Sequence, residues 1–339
     1  MLIKKLTDIH GLPTWEEDVR AAIKKEIEAH VDHMYTDRLG NLIAVKNKNA
    51  KGEHIALCAH MDEVGMVVKK IEKSGLIKFA SWGALAKVLM SKTVLIGKNK
   101  VPGVIGGKPV HLQKPEEREV VMDIDKLYID IGATSKEDAE KYVELGDFIA
   151  FDSEYREMGK HKIKAKALDD RLGCIAIIEV LKSNVKRKIT AAFVVQEEIG
   201  LRGSAIAANQ IHADLVVNLE GTICADSEDI DEQMRVTTQG MGPAISLIDR
   251  TSIYIKKYNE QMIAIAKKHN IPTQFRRTNM GGTDALNFHT AHIGTPVIGL
   301  AVPCRYIHTP VSMVDKRDFE NLLALIKAFI NDYKREDNK

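Results

Sequence analysis

Apolar residues recur along the chain in two rhythms. Over residues 14–27, Val19, Ile23 and Ile27 return at helical spacing, and Thr14 followed three positions later by Glu17 has a capping-box pattern. That segment predicts an amphipathic helix. Strands are predicted near 31–36 and 41–46, joined by Arg38-Leu39-Gly40-Asn41, which has turn chemistry. HIALCAH, ending at His60, is apolar at successive rather than alternate positions. This is the pattern of a strand covered on both faces of its sheet.

From about residue 64 the rhythm shortens. GMVVKKI, LIKFASW, KTVLIG, LYIDIG and DFIAF are short β-type runs separated by Gly, Pro and charged turns, with a short helical SKEDAEKYVE segment. After 165, helix and strand alternate again: helix near 170–182, strand 190–196, helix 203–210 and strand 213–219. A helix near 251–269, a strand 296–302 and a C-terminal helix from Asp315 follow, the last with Leu322, Leu323, Ile326, Phe329 and Ile330 on one stripe. The pattern predicts an α/β fold, a mixed, largely parallel sheet sandwiched by helices. Residues 1–63 and 166–339 would form that domain, and 64–165 an inserted, mostly-β one.

Side chains capable of chemistry fall at the carboxyl ends of the apolar runs. HIALCAH ends at His60, TAAFVVQEE at Glu197 and Glu198, and ADLVVNLE at Glu220. In an open α/β sheet those ends line one crevice. Asp169 from ALDDR and His308 from RYIHTP would bring two imidazoles and several carboxylates together. Such a set suits a pair of divalent metals and a metal-dependent hydrolase. Asp62, two residues beyond His60, is placed to accept a hydrogen bond from the far ring nitrogen. The adjacent carboxylates of Glu197 and Glu198 repel, so a cation or shared proton must offset them. If Glu198 binds metal, Glu197 is left to accept a proton from water. MGGTDALNF is a glycine-rich loop carrying Asp284, and Arg202 and Arg305 lie close to these motifs in sequence. Taken singly, each has a plainer reading: a polar pair at a strand end, an N-cap at Asp169, a structural histidine before Thr309-Pro310.

Composition narrows the classes. Across 339 residues, 49 Lys+Arg against 47 Asp+Glu leave a formal net charge of +2. That gives no electrostatic case for nucleic acid or an anionic membrane. No run approaches the ~20 apolar residues of a membrane span, and MLIKKLTDIHG lacks the apolar core of a signal peptide. A cytoplasmic protein is expected. The four cysteines form no CxxC pair and read as small buried residues, although Cys58 shares a strand face with His60.

AHMDEVG, LDDR, QEEIGLRG, GGTDA and RYIHTP, in this order across residues 59–310, resemble the M42 family of metallo-aminopeptidases, also called the glutamyl aminopeptidase or cellulase-M family. The resemblance implies a zinc-exopeptidase-like fold and two divalent ions per subunit, zinc or cobalt, with manganese also compatible. It assigns one ion to His60, Asp169 and Glu220, and the other to Asp169, Glu198 and His308. Asp169 would bridge, Glu197 would be the general base and Asp62 would orient His60. A non-proline cis peptide at Asp169-Asp170 is implied, as is use of the β-rich insertion for dimer formation and assembly into dodecamers. Many relatives carry Asp where this chain has Glu220, which ligates equally well.

The expected reaction is removal of N-terminal residues from short peptides. Two divalent ions against three ionised carboxylates leave net positive charge, which favours a bridging hydroxide as nucleophile, with Glu197 moving the proton. Three other readings use the same residues. A deblocking enzyme would remove N-acyl groups at the same metals. A glycosidase would need two carboxylates facing across a sugar, but aromatics are 5% of the chain with two Trp, and the histidines would be idle. A non-catalytic assembly protein would have no need of every motif position filled.

Overall fold

The computed structural model describes residues 2–335. Strands β1 (His33–Thr36), β2 (Leu42–Lys46) and β3 (Ile55–His60) come first. Six short strands follow: β4 (Gly65–Ile71), β5 (Ile77–Trp82), β6 (Thr93–Ile96), β7 (Val101–Gly106), β8 (Tyr128–Asp130) and β9 (Phe148–Phe151). The rest are β10 (Arg156–Met158), β11 (Lys162–Ala165), β12 (Ile189–Val194), β13 (Leu215–Ile223), β14 (Ala244–Ser246), β15 (Gln274–Arg276), β16 (Val297–Arg305) and β17 (Ser312–Asp315). Helices are α1 (Leu2–Asp8), α2 (Glu17–Ile27), α3 (Pro115–Arg118), α4 (Lys136–Ala139) and α5 (Leu168–Lys182). They continue with α6 (Arg202–Ala208), α7 (Lys256–Lys268), α8 (Ala285–Thr290) and α9 (Lys316–Asp332).

Contacts divide the chain into two units. One comprises the chain through Asp62, Tyr155–Ile307 and the stretch from Ser312; the other is Glu63–Glu154 with His308–Val311. In the first unit eleven strands form a mixed sheet, ordered β1-β2-β12-β3-β13-β16-β17-β11-β10, with β14 on β16 and β15 on β14. At its centre β3 runs parallel to both β12 and β13, and β13 parallel to β16. The unbroken apolar run of β3 has the expected cause. Ile55, Leu57 and Ala59 enter the core that includes α1, α2, α5 and α9, whereas Ala56 and Cys58 enter the core on the α6 and α8 side.

In the second unit β4-β5-β8-β7-β6-β9 close into a barrel of antiparallel pairs. Met66, Phe79, Ile96, Ile105, Ile129 and Ile149 are buried in its core. Closure leaves these short strands no unpaired edge. No helix among the described residues is long and apolar enough to cross a membrane.

Two local expectations are corrected and a third is extended. The helix at 14–27 starts at Glu17, because the Glu16 carboxylate takes the Thr14 amide and Thr14 turns to φ 75°, so no capping box forms there. The helix expected near 251 begins at Lys256. Asp249 accepts the amides of Thr251 and Ser252 and fixes a turn in place of a helical start. On α9 the stripe also takes in Leu325, so that 322, 325, 326, 329 and 330 are buried and Leu323 is half-buried against the same core.

Candidate metal centre at the strand ends

The sheet order sets β12, β3 and β13 side by side and parallel, so their carboxyl ends adjoin. His60 is the last residue of β3 and is 1% exposed; Glu197 and Glu198 follow β12; Glu220 lies in β13. His60 Nε2 lies 3.5 Å from Asp169 Oδ1 and 3.6 Å from Glu220 Oε2. Ligand atoms of His60, Asp169 and Glu198 lie within 4.8 Å of one another, as do those of His60, Asp170 and Glu220. Both trios sit in the first unit.

Asp169 and Asp170 are held outside regular helix geometry at the head of α5, joined by a cis peptide bond. Asp169 Oδ1 accepts the Gly221 amide at 3.0 Å, and a Cβ at Gly221 would lie 2.7 Å from that carboxylate. Asn218 Nδ2 donates to Glu220 Oε1 at 3.0 Å. Asp170 is buried, with Oδ1 accepting the Gly173 amide and Oδ2 lacking a hydrogen-bond partner. Each carboxylate is therefore steered by a neighbour, not left to choose its rotamer.

Electrostatics show what the cluster lacks. Burial raises Glu220, Glu197 and Asp170 well above the usual carboxylate range; His60 opposes this, and neighbouring carboxylates add to it. Burial would lower His60, but the carboxylates of Asp169 and Asp62 outweigh it and hold the imidazole well above its ordinary value. Negative charge is in excess in a dry place. One imidazole among carboxylates, with an orphaned buried oxygen on Asp170, fits divalent cations. Burial also raises the thiols of Cys58 and Cys174, and every cysteine is buried, so they serve as packing residues.

The loop carrying Glu197 and Glu198 is held by side chains. Successive amides of Val195, Gln196, Glu197 and Glu198 donate to Asn41 Oδ1 (3.0 Å), Glu16 Oε1 (3.1 Å), Asp62 Oδ1 (2.9 Å) and Asp62 Oδ2 (3.0 Å). Asp62 thus spends its carboxylate on the doublet's backbone. Toward His60 Nδ1 it presents its main-chain carbonyl at 3.1 Å, with Oδ1 at 3.5 Å. At Gln196 the chain takes φ 57°, a conformation costing a side-chain-bearing residue about 1–2 kcal/mol. A Cβ on Gly203 would meet Val195 O at 2.2 Å and Asn41 Oδ1 at 2.5 Å, so only glycine fits beneath this turn.

Arg171, fully buried, completes the support. Its guanidinium donates to the carbonyls of Met61 (2.8 Å), Leu6 (2.6 Å) and Ile9 (3.2 Å), tying α1 to the peptide between His60 and Asp62. Sequence reasoning missed Glu16, Asn41 and Arg171 as parts of the site, because their partners are backbone groups over a hundred positions away. Only the Arg of LDDR carried a local signal.

His308 follows β16 by three residues, has φ 58° and groups by contact with the second unit. Asp284 is buried at the head of α8, where burial raises its carboxyl to about 6 against the opposing influence of His60 and the Ser204 hydroxyl, which itself donates to Leu201 O. Arg305 is engaged in a two-pronged pair with Asp226, at 2.5 and 2.9 Å. Arg202 is the exposed first residue of α6.

The family model for the M42 glutamyl aminopeptidase matches residues 40–325. The putative aminopeptidase FrvX of Escherichia coli (strain K12) is 33% identical over 336 residues, covering 97% of this chain and 94% of that protein. Aminopeptidase APDkam598 from the archaeon Desulfurococcus kamchatkensis superposes with a TM-score of 0.93 at 33% identity, covering 98% of this chain and 94% of that one. The TET1 peptidase of Pyrococcus horikoshii, which can assemble into a tetrahedron or a large octahedral shell, gives 0.85 at 31% identity over 97% and 98% of the two chains. The strand-end cluster and these matches together place the chain in the M42 aminopeptidase family, as a peptide hydrolase.

Proposed function

We propose that the protein is a dinuclear metal-dependent aminopeptidase that removes N-terminal residues from short peptides. The observation that carries this reading is the gathering of His60, Asp169, Glu198 and Glu220 where β3, β12 and β13 adjoin, a set with more negative charge than it can hold without cations. His60, Asp169 and Glu220 would hold one ion and Asp169, Glu198 and His308 the other. His308 is assigned on the RYIHTP motif. Bound there, zinc or cobalt, or manganese, would polarise the scissile carbonyl and acidify the attacking water.

The chain's own residues do the rest. Glu197, whose carboxyl burial and the neighbouring carboxylates raise above the usual range, would take a proton from the attacking water and return it to the leaving amine. His60 presents Nε2 to the carboxylates while Nδ1 faces Asp62, an arrangement that fixes its ring. We further propose a homo-oligomer, dimers assembling into dodecamers, as the TET structures support.

The test is mass spectrometry of a peptide library whose members carry either a free or an acetylated N-terminus. Stepwise, chelator-sensitive loss of residues from free termini alone is expected. Cleavage or deacylation of blocked peptides would instead make it a deblocking enzyme, and no change in either set, with metal bound, would end the peptidase reading. A monomer in sedimentation would end the assembly reading.

A further inference from the structure

We propose that Glu16, at the head of α2, is a positioning residue for the proposed base Glu197. This rests on the peptidase reading above for its catalytic consequence, but on geometry alone for its mechanical one. Glu16 is 2% exposed and lies 181 positions from Glu197 in sequence. One carboxylate oxygen, Oε1, accepts both the Thr14 amide and the Gln196 amide, each at 3.1 Å. It therefore joins the turn before α2 to the second residue after β12.

Gln196 is where the chain is most in need of a partner. It has φ 57°, and its carbonyl already accepts the Arg202 amide at 3.2 Å, while the flanking carbonyls of Val195 and Glu197 accept from Gly203 and Leu201. The acceptors of this turn are thus committed to the entrance of α6. Its donors are committed to Asn41, Glu16 and Asp62 in strict succession. Three side chains, from just before β2, just before α2 and just after β3, each fix one stretch of the peptide. Without the Glu16 oxygen, the Gln196 N–H would be buried and unbonded, and a side-chain-bearing residue in the left-handed region has easier conformations to relax into. The peptide plane entering Gln196 would turn, and the base one residue on would shift with it, although Asp62 still holds the amides of Glu197 and Glu198.

An acceptor is what this role requires, and a glutamine carbonyl supplies one. Glu16→Gln should keep the turn, whereas Glu16→Ala, and Glu16→Asp with its shorter reach, should release it. In metal-loaded full-length protein, hydrogen exchange of the peptide spanning 195–201 should be about tenfold or more faster in Glu16→Ala and near wild type in Glu16→Gln. Turnover of a free N-terminal peptide should fall about tenfold or more in Glu16→Ala with KM within about threefold, and recover in Glu16→Gln. Bound metal per chain should be unchanged in both. If Glu16→Ala fails to fold, Glu16→Asp is read in the same way. Unchanged exchange in the alanine and aspartate variants would overturn the proposal, as would equal damage in Glu16→Gln and Glu16→Ala, which would make the charge and not the acceptor the operative feature. Exchange is measured without substrate, so a wild-type protein that cleaves no peptide would sink the peptidase reading while leaving this mechanical result to stand or fall separately.

Discussion

Glu197 is placed by bonds to its backbone, which leaves its side chain to the proposed proton transfer. Glu197→Gln keeps the shape and the amide bonds while removing the basic oxygen. Turnover should fall by about 10²–10⁴-fold with metal content unchanged, measured by peptide hydrolysis alongside elemental analysis. Asp226 illustrates the opposite use of a carboxylate. Burial alone would raise it, but its two bonds to Arg305 prevail and hold it at about 2. Its folded value lies below the ordinary ~3.9, so the pair stabilises the fold above about pH 4 and that contribution is lost as the pH falls toward 2. Asp226→Asn should therefore lower the unfolding temperature by a few degrees at pH 7, and the gap from wild type should close on acidification. Thermal scans from pH 7 downward check the sign; a gap that widened in acid would contradict it.

At the scale of elements, strand ends were legible in the sequence and the supports beneath them were not. His60, Glu198 and Glu220 announced themselves because each closes an apolar run, and run length is a local property. Glu16 and Asn41 gave no such signal: what they do depends on an amide more than 150 positions away. Local rules also lost where a single carboxylate offered a better bond, as at Thr14 and Asp249. The turn from β12 into α6 is the element on which most depends. Gly203→Ala would drive a Cβ into Val195 O and Asn41, and should cost about 1–3 kcal/mol while lowering turnover more than KM rises. α1 is attached in a different way, through the carbonyls that Arg171 collects. Arg171→Met would leave those carbonyls buried and unbonded, and should cost about 3 kcal/mol or more in urea denaturation. Arg171→Lys should not rescue it, because one ammonium cannot span the same fork.

For the whole molecule, two organisations coexist in one chain. A mixed sheet with both faces covered supplies a rigid row of strand ends, and a closed barrel is inserted after the first of those strands has delivered His60. The sheet was predictable from unbroken apolar runs alternating with helices, and the β character of the second unit from short runs punctuated by glycine and charge, but not its closure into a barrel. The cluster at the strand ends is costly as long as it holds only protein charges, so cations should stabilise the fold. Chelator-stripped protein should gain several degrees of unfolding temperature on adding zinc, and Glu220→Gln should weaken that gain.

The central claim is that this cluster holds two divalent ions that together make the chain an aminopeptidase. The most direct test is to titrate stripped protein with metal, counting ions bound per chain while measuring release of residues from a free N-terminal peptide. Activity that rises with occupancy and saturates at two ions per chain is the predicted result. Full release of residues from metal-free protein, or none with two ions bound, would contradict it.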